Sequence, residues 1–394
     1  MVGAEVVIGA IIFLALIFDF LNGFHDAANA IATVVATRVL TPLQAVGLAA
    51  TFNLLGPLVF TTAVAKTVGR GIVVPDVITL SVLAATLIGA ISWNLITWWF
   101  GLPISSSHSL IGGLIGAAVA ANGWGVVYLP STSLLASLLF YSLLAVAVCC
   151  VGWLTIHKVL HIDISNRTVL IGVLLGFAVG IPMITLTGRI PVGGISAVVL
   201  FMAVAPILGL CGGFFVASLV IRLFRRYTAE TMNKYFRRLQ LVSASFYSLT
   251  HGANDAQKTM GIITLLLFSQ GMIPSFEVPV WVILSASGAM ALGTFFGGWR
   301  IVATMAKRVT KLRPYQGFCA ESTGGMVLAL MAVFGIPVST TQVISGSIMG
   351  VGMTKSLTSV RWGVARQIVG AWILTIPAAA VVGALAEFTI STLF

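Results

Sequence analysis

Charge is scarce in this chain. Only 8% of its 394 residues are charged, with 10 acidic side chains against 21 lysines and arginines. An ordinary soluble domain carries about 25% charged residues, so that class is excluded. Cysteine is also rare: Cys149, Cys150, Cys211 and Cys319 lie in apolar or weakly polar stretches without metal-type spacing. That excludes a zinc site or disulfide framework and leaves packing as their role. A glycine-rich phosphate loop with its lysine is missing, as is any soluble stretch that would house a nucleotide-hydrolysing domain, so an enzyme is not expected. The first apolar run follows Glu5 and has no basic lead, and it reads as a retained transmembrane helix, not a cleaved signal.

Apolar sequence is what the chain has in abundance. Hydrophobic residues make up 59% and mean hydropathy is +1.09. Runs of ~20 residues, enough to cross ~30 Å of hydrocarbon, recur along the whole length. The expected class is an all-α polytopic membrane protein with about 12 membrane segments. The net charge of +11 sits mostly in short loops. Arg222, Arg225, Arg226, Lys234, Arg237 and Arg238 form one basic segment, and Arg300, Lys307, Arg308, Lys311 and Arg313 another. The positive-inside rule makes both cytoplasmic, places Lys158, Arg167, Lys355 and Arg361 inside, and leaves both termini outside. Lipid head groups, not nucleic acid, are the expected partners of this charge.

Two motifs each occur twice. Asn22-Gly23-Phe24-His25-Asp26-Ala27-Ala28-Asn29-Ala30 answers to His251-Gly252-Ala253-Asn254-Asp255-Ala256-Gln257-Lys258-Thr259, with Asp26 and Asp255 standing 229 positions apart. Gly101-Leu102-Pro103-Ile104-Ser105-Ser106-Ser107-His108 answers to Gly335-Ile336-Pro337-Val338-Ser339-Thr340-Thr341-Gln342, with Ser105 and Ser339 standing 234 apart. Two motifs in one order at nearly one offset imply homologous halves, 1–157 and 230–394. The intervening segment, 158–229, holds two linking spans near 168–186 and 194–221 and the start of the basic loop. The loop charges start one half outside and the other inside, so the repeats are expected to be inverted, as in secondary transporters with a site near the midplane.

The motif chemistry points the same way. In each second motif proline ends a helix, and the hydroxyls are expected to cap a new one, running from about His108 to Ala121 and from Gln342 to Gly350. Broken or re-entrant helices of this kind aim unpaired N–H groups and partial positive charge at an oxyanion. Gly112, Gly116, Gly346 and Gly350 allow close packing of these half-helices. The candidate oxyanion site is Ser105, Ser106, Ser107, Ser339, Thr340 and Thr341, with His25, Asn254 and Gln342 beside them. Asp26 and Asp255 are carboxylates in apolar surroundings and need partners. Neither motif holds an arginine, so a hard cation such as sodium is expected, ligated by Asn22, Asp26, Asn29 and Asp255. No organic cofactor is required. Asp19, one turn before the first motif, has Ser248 as its counterpart.

These four ordered motifs resemble those of the inorganic phosphate transporter family, whose halves each carry a G-A-N-D-V-A-N-A-like signature followed by a G-x-P-x-S-S/T-T/S-H-like one. The resemblance spans essentially the whole chain. It implies sodium-coupled uptake of inorganic phosphate across the cell membrane by alternating access, often in a homodimer, and places Glu321 near a cation site. The chain departs from the family at Phe24, His25, Gln257, Lys258 and Gln342, and Lys258 has the charge to stand in for a cation or to contact the anion. Two alternatives remain open: symport of phosphate, or of a neutral metal–phosphate complex, driven by protons carried on Asp26, Asp255 or Glu321, and an anion-selective channel with the helix starts as its filter.

Overall fold

The scarcity of charge translates into helices that are long and apolar. The computed structural model describes residues 3–70, 73, 77–128 and 194–393, with scattered positions between 140 and 158. The span expected at 168–186, together with Arg167, Cys149 and Cys150, lies outside the described residues. The named helices are α1 (Ala4–Ala36), α2 (Pro42–Val59), α3 (Ala63–Arg70), α4 (Leu80–Phe100), α5 (Ser106–Asn122), α6 (Gly194–Leu223), α7 (Ala229–Ser269), α8 (Val280–Phe296), α9 (Trp299–Thr304), α10 (Pro314–Val333), α11 (Thr340–Met353) and α12 (Trp362–Leu393). Of these, α1, α2, α4, α6 and α12 are long and apolar enough to cross a membrane. The fold is all-α among the described residues, apart from one isolated bridge between Val73 and Val127. Large apolar side chains such as Phe13, Leu58, Trp99, Val242 and Phe388 are exposed, as a lipid-facing surface requires.

Several helices are too short to span ~30 Å at ~1.5 Å per residue, α3, α8 and α9 among them, and so are the two hydroxyl-capped helices, α5 with 17 residues and α11 with 14. The hydroxyl-capped pair are entered the same way. The preceding helix closes on a glycine at φ 66°, Gly101 or Gly335, a conformation other residues resist. Leu102 N–H then reaches back to the Thr97 carbonyl and Ile336 N–H to that of Met331, each at 2.9 Å. An extended proline-containing stretch follows, and Ser105 or Ser339 caps the next helix, accepting from the backbone N–H of His108 at 3.3 Å or Gln342 at 3.2 Å. The helices therefore start at Ser106 and Thr340, two residues before the expected His108 and Gln342. One hydroxyl of each triad suffices for the cap, and the other two ride in the first turn.

The packing around the two sets of motifs is reciprocal. α1 lies on α8, and α7 on α2. A Cβ on Gly293 of α8 would meet the Phe20 carbonyl of α1, and one on Gly56 of α2 would meet the corresponding Leu249 carbonyl of α7. Gly112 and Gly116 of α5 abut Ile376 and Ala380 of α12, while Gly346 and Gly350 of α11 abut Pro206 and Leu210 of α6. Even the hairpin turns are fastened crosswise: Thr304, at the end of α9, donates to the Gly101 carbonyl at 2.9 Å, and Thr67 of α3 to that of Gly335 at 2.8 Å. Helices α1 and α7 run antiparallel. Arg237 donates to the Arg38 carbonyl at 2.7 Å and Thr37 to Gln240 at 2.9 Å at one end, whereas Asp26 meets Asp255 farther along.

Candidate functional site

The antiparallel crossing of α1 and α7 sets the carboxylates of the two first motifs together. Ligand atoms of Asp26, His251 and Asp255 lie within 4.8 Å of one another, all buried. Above them sits the start of α11. Thr341 Oγ1 donates to Asp26 at 3.4 Å and Thr340 Oγ1 to Asp255 at 2.9 Å. Asn29, one turn after Asp26, donates to Thr341 at 2.9 Å and to Thr340 at 3.4 Å. One helix start thus engages both halves' motifs, and its first-turn N–H groups point where negative charge is favoured.

Around Asp26 the pairing is without lysine or arginine among the described residues. His25 Nδ1 stands 2.9 Å from its carboxylate, and His25 Nε2 lies 3.4 Å from Thr97 Oγ1 of α4. Around Asp255 it is not. Lys258, one turn on along α7, places its ammonium against Asp255 and also donates to the Val338 carbonyl at 3.3 Å. His251 Nε2 is 3.1 Å from the other carboxylate oxygen, and its Nδ1 meets Asn53 Oδ1 of α2 at 3.1 Å. A buried ammonium is tolerable only with such partners, because an isolated charge in this interior costs several kcal/mol even after relaxation.

The first hydroxyl triad is buried as expected, and both α5 and α11 adjoin α1. Ser106 Oγ has no hydrogen-bond partner among the described residues. His108 stands buried in the first turn of α5. Other candidates lie apart from the carboxylate pair. Asn254 turns away, donating to the carbonyls of Thr250 at 2.8 Å and Leu328 at 3.0 Å. Gln342 is buried with neither side-chain atom partnered among the described residues, as is Asn22. Asn22 flanks Asp19, also fully buried, together with Thr259. Glu321 accepts from Gln240 at 3.0 Å and from Ser243, and Gln240 in turn accepts from Thr37, so this acid forms a separate polar knot between α1, α7 and α10.

His251 and Asn53 are the residues that sequence reasoning left out of the site. A signal existed for His251, four residues before Asp255 and so on the same helical face. None existed for Asn53, which comes from another element.

The donor set divides by half. Asp26 with the Asn29 and threonine oxygens suits a hard monovalent cation, while the oxygens at Asp255 and Val338 are already engaged by an ammonium.

Comparison with known proteins closes the case for the class. A model of the phosphate transporter family matches residues 22–149 and 129–383. A probable low-affinity inorganic phosphate transporter of Rhizobium meliloti is 45% identical over 379 residues, covering 96% of this chain and 95% of that protein. Proteins of the same description from Bacillus subtilis and Mycobacterium tuberculosis are 37% and 39% identical, covering 98% and 95% of this chain and 97% and 75% of theirs. A solved structure described as the sodium-dependent phosphate transporter superposes with a TM-score of 0.69 at 24% identity, over 99% of this chain and 100% of that one, and shares the fold. With a matching family model and these relatives over nearly its full length, the chain belongs to the phosphate transporter family of membrane transporters, not enzymes.

Proposed function

We propose that this protein imports inorganic phosphate across the cell membrane by sodium symport, its two halves forming inverted repeats that alternate access to one buried site. The observation that carries this reading is the start of α11, where Thr340 and Thr341 bond the aspartates of both halves. A site built jointly by two halves opens to either side when the halves rock. Antiparallel α1 and α7 and the crosswise fastening of the hairpin turns support the inverted arrangement. Phosphate binds at the starts of α5 and α11 through first-turn N–H groups and hydroxyls, and sodium as co-substrate binds at Asp26 and Asn29. The description of the solved relative as sodium-dependent accords with this. The working form is a homodimer with both termini outside.

Proton coupling is the second reading, favoured by Lys258. With an ammonium already on Asp255, a sodium ion has one carboxylate fewer to bind. Radiolabelled phosphate uptake into proteoliposomes separates the readings, comparing inward sodium and proton gradients with cold sulfate as competitor. Accumulation only with sodium supports the first reading. Accumulation with protons alone transfers coupling to the second, and dissipation without accumulation leaves a channel.

A further inference from the structure

We infer that Lys258 is a resident counter-cation, which permanently fills in the second half the position that an exchangeable cation takes in the first. The inference rests on the transport reading above for its functional consequence and on geometry for its substance. Lys258 Nζ is held by one carboxylate oxygen of Asp255 and by the carbonyl of Val338, in the extended stretch where the α10–α11 hairpin breaks. A carboxylate plus a backbone carbonyl freed by a helix break is the oxygen set that a bound monovalent cation uses in a transporter. Here an ammonium on a four-carbon stem satisfies it from within the chain. The Lys258 side chain is 3% exposed and that of Asp255 1%, so solvent does not supply the counter-charge.

The corresponding residue of the first half is Asn29. It carries no charge and spends its amide on Thr340 and Thr341, so among the described residues no lysine pairs with Asp26, which His25 and a threonine hydroxyl contact directly, with His251 and Asp255 within 4.8 Å. The two motif aspartates, alike in sequence, therefore have different requirements. Asp26 needs a mobile positive charge when ionised, and Asp255 brings its own. Lys258 acts through Asp255, not on the phosphate, as a positioning residue. It holds the carboxylate that anchors Thr340 at the helix start, and it lowers by one the number of cations that must enter and leave in each cycle.

Two variants test this in purified full-length protein. Lys258→Asn leaves Asp255 needing a cation, and Asp255→Asn/Lys258→Asn removes both charges. Thermal unfolding in detergent is followed as sodium chloride is raised against choline chloride at constant ionic strength. We expect the single variant to be destabilised without sodium and to recover by roughly 2–4 °C more than the parent protein as sodium is added. The neutral double variant should match the parent's sodium response, and Lys258→Arg, which keeps the charge, should match it too. In proteoliposomes Lys258→Asn should need sodium at least ~10-fold above the parent's requirement, consistent with one extra cation site. A sodium response in Lys258→Asn no larger than the parent's overturns the inference, as does an equally enlarged response in the double variant. If Lys258→Asn does not fold, the double variant and Lys258→Arg still decide, because a sodium response above the parent's in either one overturns it. Failure of phosphate uptake in the parent would sink the transport reading and leave the thermal result standing.

Discussion

The motifs around Asp26 and Asp255 are alike in sequence, yet they are wired differently. Asp26 faces a histidine from its own helix and a threonine from α11, whereas Asp255 holds a lysine, a histidine and the other threonine. The backbone scaffolds behind them are nearly equivalent, with the same glycine contacts, hairpin turns and caps on each side. Similar local architecture surrounds the two buried helix starts, and the presence of Asn29 on one side and Lys258 on the other divides the electrostatics.

The largest test of that asymmetry separates function from stability. Asp26→Asn should reduce phosphate uptake by more than ~100-fold, the order expected when an essential charged partner is removed, while shifting thermal unfolding little, because among the described residues no lysine or arginine is paired with its carboxylate. Asp255→Asn strands the Lys258 ammonium and should cost about 3–5 kcal/mol, seen as a fall in melting temperature before any transport defect is interpretable. Equal melting temperatures in the two variants would break the comparison.

Packing symmetry gives a smaller effect. Gly56→Ala and Gly293→Ala each force a methyl group into a backbone carbonyl of the opposite half, Leu249 or Phe20, and should each cost about 1–3 kcal/mol. Chemical denaturation showing one to be silent would mean that the two halves bear load unequally. Smallest of all are Thr67→Val and Thr304→Val, which remove the hydroxyls that fasten the hairpin turns at Gly335 and Gly101. Each should cost about 1 kcal/mol, with a matched, modest change in uptake rate measured in proteoliposomes. A large transport loss in only one would identify that hairpin as the moving gate.

Much of this was legible in the sequence. The all-helical membrane class followed from composition, and the paired motifs located both aspartates, both hydroxyl triads and the hairpin prolines. The helix starts were misplaced by two residues, because sequence does not show which of three adjacent hydroxyls becomes the cap. The family resemblance singled out Glu321 as near a cation site, but its partners Gln240 and Ser243 come from a helix some 80 positions away along the chain. Asn53 carried no local signal at all.

What the sequence by itself determined is the set of local events: where apolar runs are long enough to span, where glycine and proline must break a helix, and which side chains carry charge. Those depend on neighbours within one or two turns. The tertiary structure alone decided the pairings, namely α1 against α8, α7 against α2, and the start of α11 against both aspartates. Such contacts join residues hundreds of positions apart, and the burial that makes a carboxylate require a lysine or a sodium ion arises only once the helices have closed around it.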